Sequence, residues 1–181
     1  SSNNEYELLS STLLDSTYYF NSYENRTIGG QTIYPNNYEH SSIREWLNNT
    51  FYNVAFKLSE NYILDTIVDN SISSLDISTN KYACDNTLDK IYLPSYKDVT
   101  SSEYGFISDE NRVAKTTDYA RATGAWANKT NGYLNNGTYW TRSPSSNYNY
   151  CAYVVNSSGY LSQYPIDTES HSVRPVIRIA F

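Results

Sequence analysis

The chain has no methionine, only two cysteines and two histidines, and just 13 Lys and Arg against 19 Asp and Glu in 181 residues. Each scarcity excludes something. With a net charge of −6 and its few cations scattered, the sequence lacks the basic footprint of a phosphate-backbone binder, which argues against nucleic acid as a partner. Cys84 and Cys151 form no CxxC or Cys/His cluster, so a zinc site is unsupported. They are compatible either with one disulfide in an oxidising compartment or with two thiols buried as small hydrophobes. No apolar run approaches the ~18 residues of a membrane span, and no basic segment followed by an apolar one opens the chain. The missing methionine, initiator included, points to a trimmed or mature segment. Charged residues are only 18%, but 39% of the chain is hydrophobic and 3 Trp, 20 Tyr and 5 Phe supply a core, so low charge does not mean disorder.

What is abundant is Ser, Asn and Tyr, at 25, 21 and 20 residues. No linker divides the sequence and no repeat is present, so residues 1–181 are read as a single domain. Residues 5–20 suit a strand followed by a turn or short helix, and Asn21 to His40, with Gly29, Gly30 and Pro35, reads as a loop. Ser42 and Glu45 make an S-x-x-E capping box before Ile43, Trp46, Leu47 and Phe51, whose spacing puts them on one core-facing helix side. A second short helix around Asn53 to Leu58 presents Phe56 to the same core. Residues 69–87 are polar enough to be a surface excursion. Lys90 to Pro94 is a short strand, Ser95 to Asp98 caps a turn, and Thr117 to Ala122 is a helical turn closed by Gly124. From Gly137 onward the pattern is strands: Thr138–Pro144, Cys151–Val155, Tyr160–Tyr164 and Val173–Ala180, joined as an antiparallel meander. Helices early and strands late predict an α+β fold.

Three phrases carry a resemblance: Ser42-Ile-Arg-Glu-Trp-Leu-Asn48 with Phe51 and Phe56, Ile91-Tyr-Leu-Pro-Ser95 with Tyr104-Gly-Phe106, and Tyr139-Trp-Thr-Arg-Ser-Pro144 closed by Val173-Arg-Pro-Val-Ile177. In this order the chain resembles a surface-domain family of Firmicutes and gut bacteria. That family is related in fold to C-type lectin-like and formylglycine-generating-enzyme-like proteins. The resemblance implies a C-type lectin-like architecture, short helices packed on a mostly antiparallel sheet with long loops, and covers about Tyr6 to Ile179. Two departures stand out. The family carries further strands before the segment that begins here. Its closing motif reads Gly-Val-Arg-Pro, whereas Ser172 precedes Val173, which would strain a turn needing φ > 0.

This fold hosts sugar binders, protein binders and enzymes, so function must come from the site. His40 and His171 sit in no catalytic motif. The formylglycine-generating relatives need paired C-terminal cysteines, and only Cys151 lies in that region. The Glu-Pro-Asn-like and Trp-Asn-Asp phrases of calcium-dependent lectins are absent, and nothing in the sequence requires a cofactor. Between Ser145 and Ser172, by contrast, 15 of 28 residues are Ser, Asn or Tyr and none is Lys or Arg. Tyr offers broad contact area at low rotamer entropy, and Ser and Asn offer adaptable hydrogen bonds, as in antibody paratopes. The competing explanation is AT-rich coding sequence, which enriches the same residues throughout.

The segment also resembles the variable region of diversity-generating-retroelement proteins, in which template adenines are randomised. That resemblance implies a displayed surface of Ser145, Ser146, Tyr148, Asn149, Tyr150, Tyr153, Asn156, Ser157, Tyr160, Ser162, Tyr164, Ile166, Thr168 and His171. Trp46, Trp140 and Phe51 are expected in the core, as is Trp126, which is also the best candidate for an exposed stacking aromatic. Arg142, Arg174 and Arg178 are expected to serve buried carbonyls, Glu45 or Asp98, with binding of an acidic ligand as the alternative. The sequence therefore predicts a non-catalytic adhesion or ligand-binding domain, extracellular or on the cell surface, whose partner is a protein or a glycan. The alternatives are a formylglycine-generating-type enzyme and a structural surface-protein module.

Overall fold

Short apolar runs interrupted by Gly, Pro, Asn and Ser leave no room for long elements. The computed structural model, which describes residues 4–181, is accordingly built from strands of two to six residues and short helical turns. The strands are β1 (Glu5–Leu9), β2 (Arg26–Ile28), β3 (Gln31–Ile33), β4 (Thr66–Val68), β5 (Thr87–Asp89), β6 (Ile91–Tyr92), β7 (Tyr139–Pro144), β8 (Cys151–Val155), β9 (Leu161–Pro165) and β10 (Val176–Ala180). They form two antiparallel three-stranded sheets, β1-β10-β6 and β7-β8-β9, and two hairpins, β2-β3 and β4-β5. The architecture is mixed α and β, with small antiparallel sheets and few short helices.

The first and last strands lie side by side, from Glu5 opposite Ala180 to Leu9 opposite Val176. The sequence expected the last strand to extend the C-terminal meander, and this is corrected: β10 sits at the centre of the other sheet. Ser172 bridges Tyr139 and Val173 bridges Asp15, so the chain crosses the end of β7 before Pro175, which has no N–H to donate to a ladder, and then enters the new sheet.

The helix α1 (Ser42–Trp46) is capped by Ser41, one residue before the expected cap. Ser41 Oγ accepts from Arg44 N at 3.3 Å, while Ser42 Oγ turns to Asn21 Oδ1. A π-helical turn, Leu47–Phe51, continues it into α2 (Tyr52–Ala55), and Ile43, Trp46 and Leu47 are buried on one face. Further along are α3 (Asp109–Arg112) and α4 (Asp118–Ala122), the latter capped by Thr117 Oγ1 and followed by Gly124 at φ +116°. Ser95 and Asp98 cap each other: Ser95 N donates to Asp98 Oδ2 at 2.7 Å and Asp98 N donates to Ser95 Oγ at 3.0 Å.

The sheet β7-β8-β9 is covered on both faces. On one, Trp140, Ala152 and Val154 join Phe20, Tyr38, Ile43, Trp46 and Leu47; on the other, Tyr139 and Val155 join Leu13, Val99 and Ala114. Two loop expectations are revised. The stretch from Asn21 to His40 contains the β2-β3 hairpin, turned at Gly29 and Gly30, both at positive φ as a tight hairpin turn requires. The polar stretch 69–87 buries Leu75 and Tyr82, and Asn80 Nδ2 donates to Pro144 O at 3.0 Å, stitching it beneath β7.

Candidate functional site

Double coverage of the C-terminal sheet decides which of the 14 positions reach solvent. Five do not: Ser145, Tyr153, Ser157, Ile166 and His171 are buried, which corrects their assignment to a displayed surface. Tyr153 does face away from Ala152 and Val154, as strand alternation requires, but that face is also covered. Its ring packs 4.9 Å from that of Tyr96, and its hydroxyl donates to Asp76 Oδ2 at 2.7 Å and accepts from Gln163 Nε2 at 2.9 Å. Burial, reinforced by Asp76, pushes the Tyr153 phenol up to about 12. Ser145 Oγ accepts from the N–H groups of Asn147 and Tyr148 and donates to Gln163 Oε1 at 2.6 Å, so it shapes the loop from beneath. Ser157 Oγ accepts from Asn128 Nδ2 at 3.0 Å. Ile166 belongs to the main core.

The other nine are exposed or half-buried and fall into two patches. In the first, Ser146, Tyr148, Asn149 and Tyr150 ride the β7-β8 loop. The Tyr148 and Tyr150 ring centres are 5.5 Å apart, and Tyr150 lies 5.2 Å from exposed Tyr23, extending the aromatic surface with a residue the sequence did not single out. The loop backbone is anchored by Asn36, whose Nδ2 donates to Tyr148 O at 3.0 Å and Cys151 O at 3.2 Å.

The second patch holds Asn156, Tyr160, Ser162, Tyr164 and Thr168, of which Asn156, Tyr164 and Thr168 line a groove of about 300 Å³ together with Trp126, Thr138, Ser157, Ser170 and His171. Trp126, expected in the core, is 52% exposed at its rim. Its backbone N–H donates to Ser170 O at 3.1 Å, and its neighbour Ala125 takes the buried place after the Gly124 turn. The flanking alanines of Ala125-Trp-Ala127 were the available signal: they leave the large ring no bulky partner on either side. At the floor, His171 sits between Trp140 at 4.9 Å and Tyr164 at 4.7 Å, both edge-on. Burial pushes its imidazole down to about 4, so the ring is neutral at ordinary pH, and neither of its nitrogens has a hydrogen-bond partner among the described residues.

The arginines are framework. Arg142 Nη1 donates to Leu93 O and Asp98 Oδ2, both at 2.8 Å, and Nη2 to Asp69 O at 3.1 Å. Arg174 donates to Ser10 O, Arg112 O and the Tyr139 hydroxyl. Arg178 pairs with Glu5 at 3.0 Å on the surface. Their donors are taken, which removes Arg142 and Arg174 from consideration as ligand-binding cations. Ser172 is not at positive φ, so serine there costs no backbone strain; its buried hydroxyl has no partner among the described residues.

Both cysteines are free. Burial pushes the Cys84 thiol up to about 11 and raises that of Cys151. His40 faces Glu39 at 3.6 Å. Among the described residues no group of three or more His, Cys, Asp or Glu could hold a metal ion, and no helix is long and apolar enough to cross a membrane.

A family model described as a domain of unknown function, DUF6273, matches residues 8–181, and the chain belongs to that family. No curated protein and no solved structure matched the chain.

Proposed function

We propose that this DUF6273 domain is a non-catalytic binding module of C-type lectin-like architecture, displayed outside the cell, that holds a protein or glycan through the exposed part of its C-terminal region. One observation carries the reading: Tyr148 and Tyr150, extended by Tyr23 from another segment, stand on a loop whose backbone is fixed from below by Asn36 and Ser145. Rigidly mounted tyrosines interspersed with Ser and Asn lose little entropy on binding and adapt their polar contacts to the partner. The absence of catalysis in this reading is supported by the thiols, since burial disfavours the thiolate that cysteine chemistry uses. The lectin-like architecture is supported by the meeting of all three sequence phrases in one core, through Trp46, Ile91, Leu93 and Trp140, and by the pairing of first and last strands.

The variable-region version of the proposal now concerns the nine solvent-reaching positions, because replacements there leave both cores intact. A near-identical template copy beside a reverse transcriptase at the source locus supports it, and the lack of one removes it. For binding itself, the domain is screened against glycans and surface proteins, and the Tyr148→Ala, Tyr150→Ala, Tyr164→Ala triple variant is run alongside. The expected result is loss of the bound partner with a nearly unchanged melting temperature. Unfolding of the variant would show these tyrosines to be core and the assigned surface to be wrong.

A further inference from the structure

The groove beside the C-terminal sheet differs from the tyrosine run in its chemistry. No Asp, Glu, Lys or Arg lines it. Its two aromatic lining residues are the half-exposed indole of Trp126 and Tyr164, 40% exposed on the edge strand β9. Between them lie small polar side chains with spare hydrogen-bonding capacity. Thr138 O accepts from Ser172 N and Ser170 O accepts from Trp126 N, which engages the two main chains and leaves the two hydroxyls for a ligand. Asn156 Oδ1 accepts from Ser158 N and Tyr160 N, so its Nδ2 is the spare donor. The floor is His171, 5% exposed, with both nitrogens unpartnered among the described residues. A buried polar ring without a partner is costly, and Tyr164 packs against it edge-on.

We propose that this groove binds a neutral sugar, with one pyranose face stacked on Trp126 and its hydroxyls bonded to Thr138, Asn156 and Ser170. The electron-rich face of an indole attracts the polarised C–H groups of a pyranose face, and a ring of hydroxyl and amide groups without net charge matches sugar hydroxyls, which both donate and accept. A volume near 300 Å³ is at the lower end of ligand sites and suits one or two sugar rings. Exposed Asp167 and Glu169 on the neighbouring loop repel anionic sugars, and the unprotonated His171 offers them no counter-charge. No calcium is required by this arrangement. The proposal rests on the reading of the domain as a binding module and names the ligand class for one of its two patches.

The test uses the whole domain with lactose, maltotriose and the trimer of β-1,4-linked N-acetylglucosamine as neutral probes, and 3′-sialyllactose as the charged counterpart of lactose. Saturation-transfer NMR reads contact. Acrylamide quenching reads Trp126 directly, because Trp46 and Trp140 are buried. The expected result is millimolar binding of at least one neutral probe in the presence of EDTA, protection of one tryptophan from acrylamide, and weaker binding of the sialylated form. Trp126→Ala should weaken the neutral probe at least about tenfold, Trp126→Tyr should restore part of it, and Tyr104→Ala, an exposed aromatic outside both patches, should leave it unchanged. Failure of every neutral probe, or indifference of binding to Trp126→Ala, overturns the groove proposal. If a glycan or protein from the surface screen still binds in a Tyr148- and Tyr150-dependent way, the broader reading survives that failure; if neither patch binds anything, both fall.

Discussion

Arg142 offers the sharpest division between a framework role and a ligand-binding role. Arg142 is 6% exposed, and its guanidinium joins three segments: β7, the turn after β6 through Leu93 O and Asp98, and the start of the 69–87 stretch through Asp69 O. Replacing it by Leu removes a charged donor from two carbonyls and one carboxylate. Each such bond contributes about 1.5–3 kcal/mol, but Asp98 retains the Ser95 N–H and is 27% exposed, so its loss is partly met by water. Breaking a mostly buried pair by removing one partner costs about 3–5 kcal/mol, and the partial exposure of Asp98 places Arg142→Leu at about 3–4 kcal/mol. For a chain of this length that is a fall in melting temperature of roughly 6–16 °C. Lys cannot reproduce the fork that reaches three acceptors in different directions, so Arg142→Lys should recover less than half. Urea unfolding of the three proteins, analysed at constant m, measures the difference. A loss below about 1 kcal/mol accompanied by loss of ligand binding would refute the framework role and return Arg142 to the binding surface.

Two further perturbations probe the region around the groove. His171 has its pKa pushed down from 6.5 to about 4 by burial, so between these values the unfolded chain binds a proton that the folded one does not, and stability rises with pH across the window. Wild type should therefore lose about 2 kcal/mol from this residue between pH 7 and pH 5, and His171→Phe should lack that part of the slope; equal slopes in urea titrations at the two pH values would show the imidazole to be solvated in the folded state. Gly159 closes the β8-β9 turn at φ +88°, and a Cβ there would stand 1.8 Å from Asp109 O, a backbone atom that cannot rotate away. Gly159→Ala should cost about 2–4 kcal/mol and, by shifting Asn156, weaken whatever the groove holds, whereas a neutral effect on thermal unfolding would mean that the turn is not packed against α3.

The local grammar of the chain carried far into the fold, and its failures share a cause. The Ser95–Asp98 cap, the Thr117–Gly124 helical turn and the strand from Cys151 to Val155 depend on neighbours within a few residues, and all appear where the sequence places them. The helix cap moved from Ser42 to Ser41 because Asn21, distant in sequence, supplies Ser42 with another partner. The route of β10 was hidden for the same reason: an apolar strand after a turn looks alike whether it pairs with β9 or with β1.

Burial was harder to read than secondary structure. Alternation correctly sets Tyr153 opposite in facing to Val154, but whether the second face of a sheet meets water depends on what folds over it, and here Leu13, Asp76, and Tyr96 with Val99 come from three other segments. Tyrosine makes the ambiguity worse. Tyr38, Tyr139 and Tyr153 are buried with their hydroxyls engaged, while Tyr148, Tyr160 and Tyr164 stand in solvent. A chain built on Tyr, Ser and Asn can thus use one residue type for core and surface alike, since a phenol packs as a hydrophobe when its hydroxyl finds a partner. Enrichment of these residues therefore does not locate a binding site. What separates Tyr38, Tyr139 and Tyr153 from the groove is the hydrogen bond: their hydroxyls are held by protein, as by Asp76 for Tyr153, and at the groove the polar groups of Thr138, Asn156 and Ser170 retain capacity that only a ligand or water can take up.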